Sequence, residues 1–225
     1  AGKHGHLLRA DHNNPNPSLA FKTLAHEYQH LLNFNGIFME GEDGFDSDVW
    51  WNEAFSTAAE HLYRGPEGDL ISIYNTSPYI RDGRSLFDWG GAAVMSDYTL
   101  SYLFGQYLRT QIEQVSPEAK AFREVIEEGR SGYEGIETVL KRHLGSDMTM
   151  GKFISDFRVA LLAKAGSGAF GFNGESWADG LVPRVHPGGE VTLRAGGAVV
   201  YDLSGSRTIE EVLDGIRIIG VGEPH

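Results

Sequence analysis

Two histidines and a glutamate fall within one five-residue segment, His26-Glu27-Tyr28-Gln29-His30. Residues four apart on an α-helix lie on one face, about 6 Å apart along the axis, so both histidines can direct a ring nitrogen to one ion. Glu27 lies about 100° round the helix from His26, near such an ion but not placed to bind it. This spacing is typical of zinc hydrolases in which the glutamate acts as a general base.

The motif is expected to lie on a helix over Leu19–Phe34. Apolar residues recur there at three- and four-residue spacing, which indicates an amphipathic helix. Ser18 is predicted as its N-cap and Gly36 as its C-terminal stop. One helix would therefore present both histidines and the glutamate.

A third metal ligand is expected from a later helix. Glu53 lies in Asn52–Tyr63, a segment whose apolar residues have helical spacing and which ends before Gly65 and Pro66. Two imidazoles and one carboxylate leave one position open, which is the ligand set of catalytic rather than structural zinc. Metzincins have a third histidine six residues after the second, where this chain has Gly36, so that branch is excluded.

The two metal motifs resemble those of the hyicolysin-type metallopeptidases, within the thermolysin-like gluzincin group. The resemblance rests on Ala25–Asn33, on Trp51–Ser56 and on Ala59 with Glu60, and it covers roughly residues 20–110. It implies a zinc peptidase with a thermolysin-like zincin helical subdomain.

For individual residues, the resemblance implies that Zn²⁺ is bound by His26, His30 and Glu53. Glu27 would assist the attack of zinc-bound water on a peptide carbonyl and pass the proton to the leaving amine. Zinc lowers the pKa of bound water to about 7, so hydroxide is available at neutral pH.

Two positions after Glu53 bear on how a ligand is oriented. Thermolysin has an aspartate four residues after its glutamate ligand, and this chain has Thr57 there. Glu60 lies on the same helix face as Glu53 and matches a glutamate of related aminopeptidases. It could orient a histidine, or it could be a solvated helix charge.

A donor for the oxyanion is expected in Asp97–Leu108. This segment resembles the gluzincin segment in which a tyrosine near a helix start is followed nine and ten residues later by an aromatic–leucine pair, here Tyr107 and Leu108. The resemblance points to Tyr98, with Tyr102 as the alternative. Either tyrosine could instead be a core residue of an amphipathic helix.

The composition narrows the function classes. The 19 Lys and Arg against 31 Asp and Glu give a net charge of −12, which disfavours nucleic acid and anionic membranes as partners and favours polypeptide substrates. The chain has no cysteine, so disulfides and thiol catalysis are excluded. No apolar run approaches the ~18 residues that a membrane span needs. We expect a processed extracellular protein whose signal peptide is not part of this chain.

The predicted fold class is α+β and predominantly helical, with a small C-terminal β unit. Residues 1–166 would form a mainly helical zincin catalytic domain, and residues 167–225 a Gly-rich β segment packed on it or beginning a further domain. Helices are expected at about 92–113, 117–128, 133–144 and 149–164, with a short one near Leu70–Tyr74. Alternating runs predict strands at Val191–Arg194, Val199–Leu203 and Ile216–Val221.

Two features near the motif leave alternatives open. Thermolysin-like enzymes have an antiparallel sheet before the motif helix, and only Leu7–Ala10 could form a strand here. The sheet was removed, lies on another chain, or is not needed. The acidic loop 37–50 could bind Ca²⁺ or be simply solvated, and its ligand order does not match an EF-hand.

The leading hypothesis is a secreted zinc endopeptidase acting on protein or peptide substrates. A gluzincin aminopeptidase is the first alternative, but that group reads the substrate amine through a Gly-x-Met-Glu-Asn segment before the motif. The similar segment here, Gly36–Gly41, follows the motif and lacks the asparagine. A non-catalytic, zinc-bearing binding fragment is the second alternative, and the oligomeric state stays open.

Overall fold

A computed structural model of the chain describes residues 17–38, 49–130, 132–202 and 218–220. These residues are predominantly helical, as predicted, and no helix among them is long and apolar enough to cross a membrane. The α-helices are α1 Pro17–Phe38, α2 Val49–Arg64, α3 Gly68–Thr76, α4 Pro78–Arg81, α5 Val94–Val115, α6 Ala121–Glu127, α7 Gly132–Leu144 and α8 Met150–Ala163. Short 3₁₀ turns lie at Gly91–Ala93 and Ser176–Gly180.

Helix α1 extends beyond both predicted limits. It begins at Pro17, so Ser18 is not its N-cap, and it continues through Gly36 to Phe38. A Cβ atom on Gly36 would overlap Cγ2 of Ile126 in α6. Gly36 therefore allows α6 to pack closely on α1 and does not end the helix.

Helices α1, α2 and α5 form the framework around the motif, because α2 packs against α1 on one side and α5 on the other. At the crossing of α2 and α5, a Cβ on Gly105 would lie only 2.7 Å from the carbonyl oxygen of Ala54. The two backbones thus approach closely directly beside Glu53. The buried apolar residues of α2 are Trp50, Trp51, Ala54, Phe55 and Ala58.

Helix α5 is the centre of the hydrophobic core. Its fully buried residues include Leu100, Leu103, Phe104, Leu108 and Ile112. Phe104 meets the rings of Phe153 and Phe157 from α8 edge-on, with centroids 5.9 and 5.6 Å apart. Each such buried side chain contributes about 1.5–3 kcal/mol of transfer free energy, so this core holds α5 rigidly behind the motif helices.

The helix predicted from residue 117 begins later. Pro117 lies in a turn, and α6 starts at Ala121. The other predicted helices form within a few residues of their expected limits.

The predicted β unit is not seen in the described residues, which hold only isolated bridges at Ala165–Gly171 and Val185–Val200. Residues 191–194 are irregular, and side chains hold the backbone carbonyls of the two residues that follow them. Ser85 donates to the oxygen of Ala195 and Arg158 to that of Gly196.

Several sequence predictions concern segments that lie wholly or partly outside the described residues. The runs Val199–Leu203 and Ile216–Val221 extend past the described ranges. The strand at Leu7–Ala10 and the acidic residues 39–48 lie outside them altogether.

Candidate metal centre

Helices α1 and α2 bring His26, His30 and Glu53 together. The Nε2 atoms of the two histidines lie 3.0 Å apart, and Glu53 Oε2 lies 3.3 Å from the first and 3.7 Å from the second. In the part of the chain that the structure describes, this is the one group of three or more such side chains whose ligand atoms could hold a metal ion.

The spacing of the three atoms fits a small divalent cation. Donors bound tetrahedrally at about 2.1 Å lie about 3.4 Å from one another, close to the three observed separations. Glu53 Oε2 is buried and has no hydrogen-bond partner. A buried carboxylate oxygen without a hydrogen bond is unfavourable, and a cation bound at this point would remove that penalty. The donor set therefore suits Zn²⁺, with a position left for water or substrate.

His30 is oriented by neutral partners. Its Nδ1 lies 3.0 Å from Oδ1 of Asn52 and 3.0 Å from Oγ of Ser56. Asn33, fully buried on α1, donates to the same Asn52 oxygen at 2.5 Å. An Nδ1–H that donates to an amide oxygen leaves the Nε2 lone pair free to face the cluster.

His26 is oriented by a carboxylate. Its Nδ1 lies 2.5 Å from Oε1 of Glu60, one helical turn beyond Thr57 on α2. Thr57 instead donates its hydroxyl to the backbone oxygen of Glu53 at 2.6 Å. Glu60, and not Thr57, therefore lies against His26, and its contacts with His26 and Lys22 show that it is not a solvated helix charge.

Carboxylates dominate the electrostatics of the centre. Burial lowers the pKa of His26, but Glu53 and Glu60 outweigh that effect and raise it to about 9. Burial raises the pKa of Glu60, whereas His26 and Lys22 lower it, and the net shift is downward. Carboxylates that favour a proton on His26 would also favour a metal cation in its place.

Tyr98, the fifth residue of α5, faces this centre. Burial, followed by the charges of Glu53, Glu27 and Glu60, raises the pKa of Tyr98, so its phenol stays protonated. The ring of Trp89 lies against it edge-on, with centroids 4.9 Å apart. A protonated phenol beside the metal ligands has the character that an oxyanion donor requires.

The start of α5 is fixed by a buried ion pair. Arg84 binds both carboxylate oxygens of Asp97 at 2.6 and 2.9 Å, and Asp97 also accepts from the backbone N–H of Gly90 at 2.8 Å. Bidentate pairs of this kind fix geometry as well as charge. The residue before Tyr98 is thereby locked in place.

Tyr102 does not reach the metal centre. It is fully buried, its hydroxyl lies 2.8 Å from Nδ1 of His61, and it accepts from the N–H of Glu67 at 3.2 Å. Tyr98 is therefore the better placed of the two predicted tyrosines.

Glu27 is exposed on α1, next to His26. It is close enough to Tyr98 for its charge to raise that pKa. It makes no hydrogen bond or ion pair with another residue of the described ranges, which leaves its carboxylate available for proton transfer.

The contacts of Asn52, Ser56 and Lys22 beside the candidate ligands were not predicted from the sequence. Asn52 and Ser56 are four apart on α2, and Lys22 precedes His26 by four on α1. Four-residue spacing could have placed Lys22 on the face of His26 and Asn52 with Ser56 on one face of α2, but it could not have shown that this face meets His30 on another helix.

No family model matches this chain. The chain is similar to the neutral metalloprotease ShpI of Staphylococcus hyicus, with 37% identity over 197 residues. The alignment covers 87% of this chain and 44% of the relative, so the chain spans less than half the length of that protein. The similarity is thus to part of a neutral metalloprotease, and the described residues of this chain hold a His–His–Glu group that could bind a metal ion.

Proposed function

We propose that this chain carries the catalytic centre of a zinc endopeptidase. The observation that carries the proposal is the convergence of ligand atoms from His26, His30 and Glu53, the last a buried oxygen without a hydrogen bond, with Glu27 exposed beside them. The similarity to a neutral metalloprotease supports the same class of reaction. Secretion of the protein stays a prediction from the sequence.

A Zn²⁺ ion held by the three ligands would supply Lewis-acid activation of water and of the scissile carbonyl. Glu27 accepts the proton of the attacking water and delivers it to the leaving amine. Tyr98 donates its phenolic hydrogen to the oxyanion that develops on the carbonyl oxygen. Asn52 and Glu60 keep the two imidazoles in the tautomer that leaves Nε2 free for the metal.

The decisive variant is Glu27→Gln, which keeps the shape of the side chain and removes its basicity. We expect kcat on an internally quenched peptide to fall about 10²–10⁴-fold, the usual contribution of a general base. Zinc content, measured by atomic emission, should not change, because Glu27 is not a ligand. Glu127→Gln is the matched control, since Glu127 is an exposed partner of Arg123 on α6.

A Glu27→Gln protein with bound zinc and wild-type kcat would overturn the mechanism. Endopeptidase and aminopeptidase activity are separated by N-terminally acetylated peptides. An endopeptidase cleaves them internally, whereas an aminopeptidase requires the free amine and leaves them intact.

A further inference from the structure

We infer that Lys22 is a positioning residue for the metal centre, and that it acts through Glu60 on His26. The inference rests on the proposed function, because it concerns the ligands of the same site. It assigns a role to a cation that touches neither the metal position nor any group that reacts.

A continuous chain of polar contacts joins Lys22 to His26 through Glu60. Lys22 Nζ lies 2.8 Å from Oε2 of Glu60, and Oε1 of Glu60 lies 2.5 Å from Nδ1 of His26. One carboxylate is thus held by the ammonium at one oxygen and holds the imidazole with the other. A carboxylate fixed at both oxygens cannot rotate, so the ring of His26 keeps its orientation toward the cluster.

Lys22 is itself anchored by a second carboxylate. Its Nζ also lies 2.5 Å from Oε2 of Glu67, which stands just before α3. The backbone N–H of Glu67 donates to the hydroxyl of Tyr102 on α5. Lys22 therefore joins α1 to α2 and to a turn that is itself fixed to the core.

The side chains of this ion-pair network are largely buried. The side chains of Lys22, Glu60 and Glu67 are 18%, 14% and 10% exposed. Without the ammonium, the two carboxylates would share a poorly hydrated space with no cation between them. Their repulsion would move Glu60 away from its place beside His26. An exposed surface pair would have no such effect, because water screens it.

The test measures zinc affinity rather than turnover. The metal-free 225-residue chain is titrated with Zn²⁺ in competition with a chromophoric chelator. We expect Lys22→Met to raise the Kd about 10–100-fold, as the loss of groups that orient a metal ligand does. Lys22→Arg should restore most of the affinity, because it keeps a cation that can reach both carboxylates. Lys141→Met is the matched control, since Lys141 forms an exposed pair with Glu137 on α7 at 2.5 Å.

A double-mutant cycle separates action through Glu60 from a general loss of stability. Glu60→Gln alone should weaken zinc binding, and adding Lys22→Met should cost little more, because both changes interrupt the same chain. Thermal melting of each metal-free variant checks that it is folded. If Lys22→Met does not fold, Lys22→Gln takes its place in the cycle, because it removes the charge and keeps a hydrogen-bond donor.

Two results would overturn the inference: an unchanged Kd in the folded Lys22 variant, or full additivity of the two substitutions. Failure of the proposed function has a different signature. A wild-type chain that binds zinc but cleaves no peptide contradicts the peptidase proposal, while the cycle of affinities still supports or contradicts the role of Lys22.

Discussion

Helix α2 contributes to two histidine sites with opposite properties. At one end Glu53 meets His26 and His30, and further along the buried His61 lies edge-on to the ring of Trp177, with centroids 6.0 Å apart. Each site contains a tyrosine from α5: Tyr98 at the first site and Tyr102, about one turn further along the helix, at the second. The contrast between them shows what makes a histidine available for metal chemistry.

The neighbours of each ring set its charge state. Carboxylates overcome burial and raise the pKa of His26 to about 9. Burial, assisted by the charge of Arg109, lowers the pKa of His61 to about 4. At the first site three ligand atoms converge, one of them a buried Glu53 oxygen without a hydrogen bond, whereas the Nδ1 of His61 is already paired with the hydroxyl of Tyr102. A buried histidine becomes a candidate ligand only where other donors converge with it.

The largest expected effect is from Glu53→Gln, which removes the carboxylate from the first site. We expect the Kd for Zn²⁺ to rise by more than about 100-fold, since losing a ligand should exceed the 10–100-fold cost of losing a group that orients one. Calorimetric titration measures it. Glu175→Gln is the control, because Glu175 pairs with Arg109 at 2.7 Å at the second site. The Kd of this variant for Zn²⁺ should equal that of the wild-type chain. Equal losses in both variants would mean that the convergence at Glu53 is not what binds the metal.

The next effect is on the pH dependence of stability at the second site. The pKa of His61 is about 4 in the folded chain and about 6.5 when unfolded, so the unfolded chain takes up the proton first. The contribution of His61 is therefore complete above pH 6.5 and is lost as the pH falls toward 4. Between pH 7 and 4.5 this loss is about 2 kcal/mol of unfolding free energy.

Urea unfolding of the metal-free chain at the two pH values measures this loss. His61→Gln should reduce the decrease in stability by about that amount, because glutamine does not titrate. Wild-type and variant curves that fall in parallel would contradict the assignment. His26 has the opposite sign, since its pKa is raised, and its contribution is lost as the pH rises toward 9.

The smallest effect is expected from Ser56→Ala at the first site. It removes one of two groups beside Nδ1 of His30, while Asn52 keeps its contact at 3.0 Å. We expect the Kd for Zn²⁺ to rise about 10-fold or less, at the low end of such effects. Ser155→Ala on the exposed face of α8 is the control. A rise as large as that of Glu53→Gln would show that Ser56, and not Asn52, holds His30.

Local spacing predicted much of the site. In a helix with a 3.6-residue period, residues four apart share a face, so the spacing predicted that His26 and His30 lie together with Glu27 beside them. The same period predicted the helix that carries Glu53. Such a period is a property of single helices. The same reasoning did not locate the ends of α1, because Gly36 is present for the packing of α6. It also predicted a strand at Val191–Arg194 that does not form, because no described segment pairs with these residues as a neighbouring strand.

Helical periodicity alone thus predicted the candidate side chains of the site and the helix faces on which they lie. The packing of the helices settles which groups meet: Glu60 with His26, Asn52 with His30, and Tyr98 rather than Tyr102 with the candidate metal centre. The physical reason is that periodicity governs neighbours on one helix, whereas contacts between helices depend on how buried faces fit together. That fit involves Gly105, Ala54 and a core far from the motif.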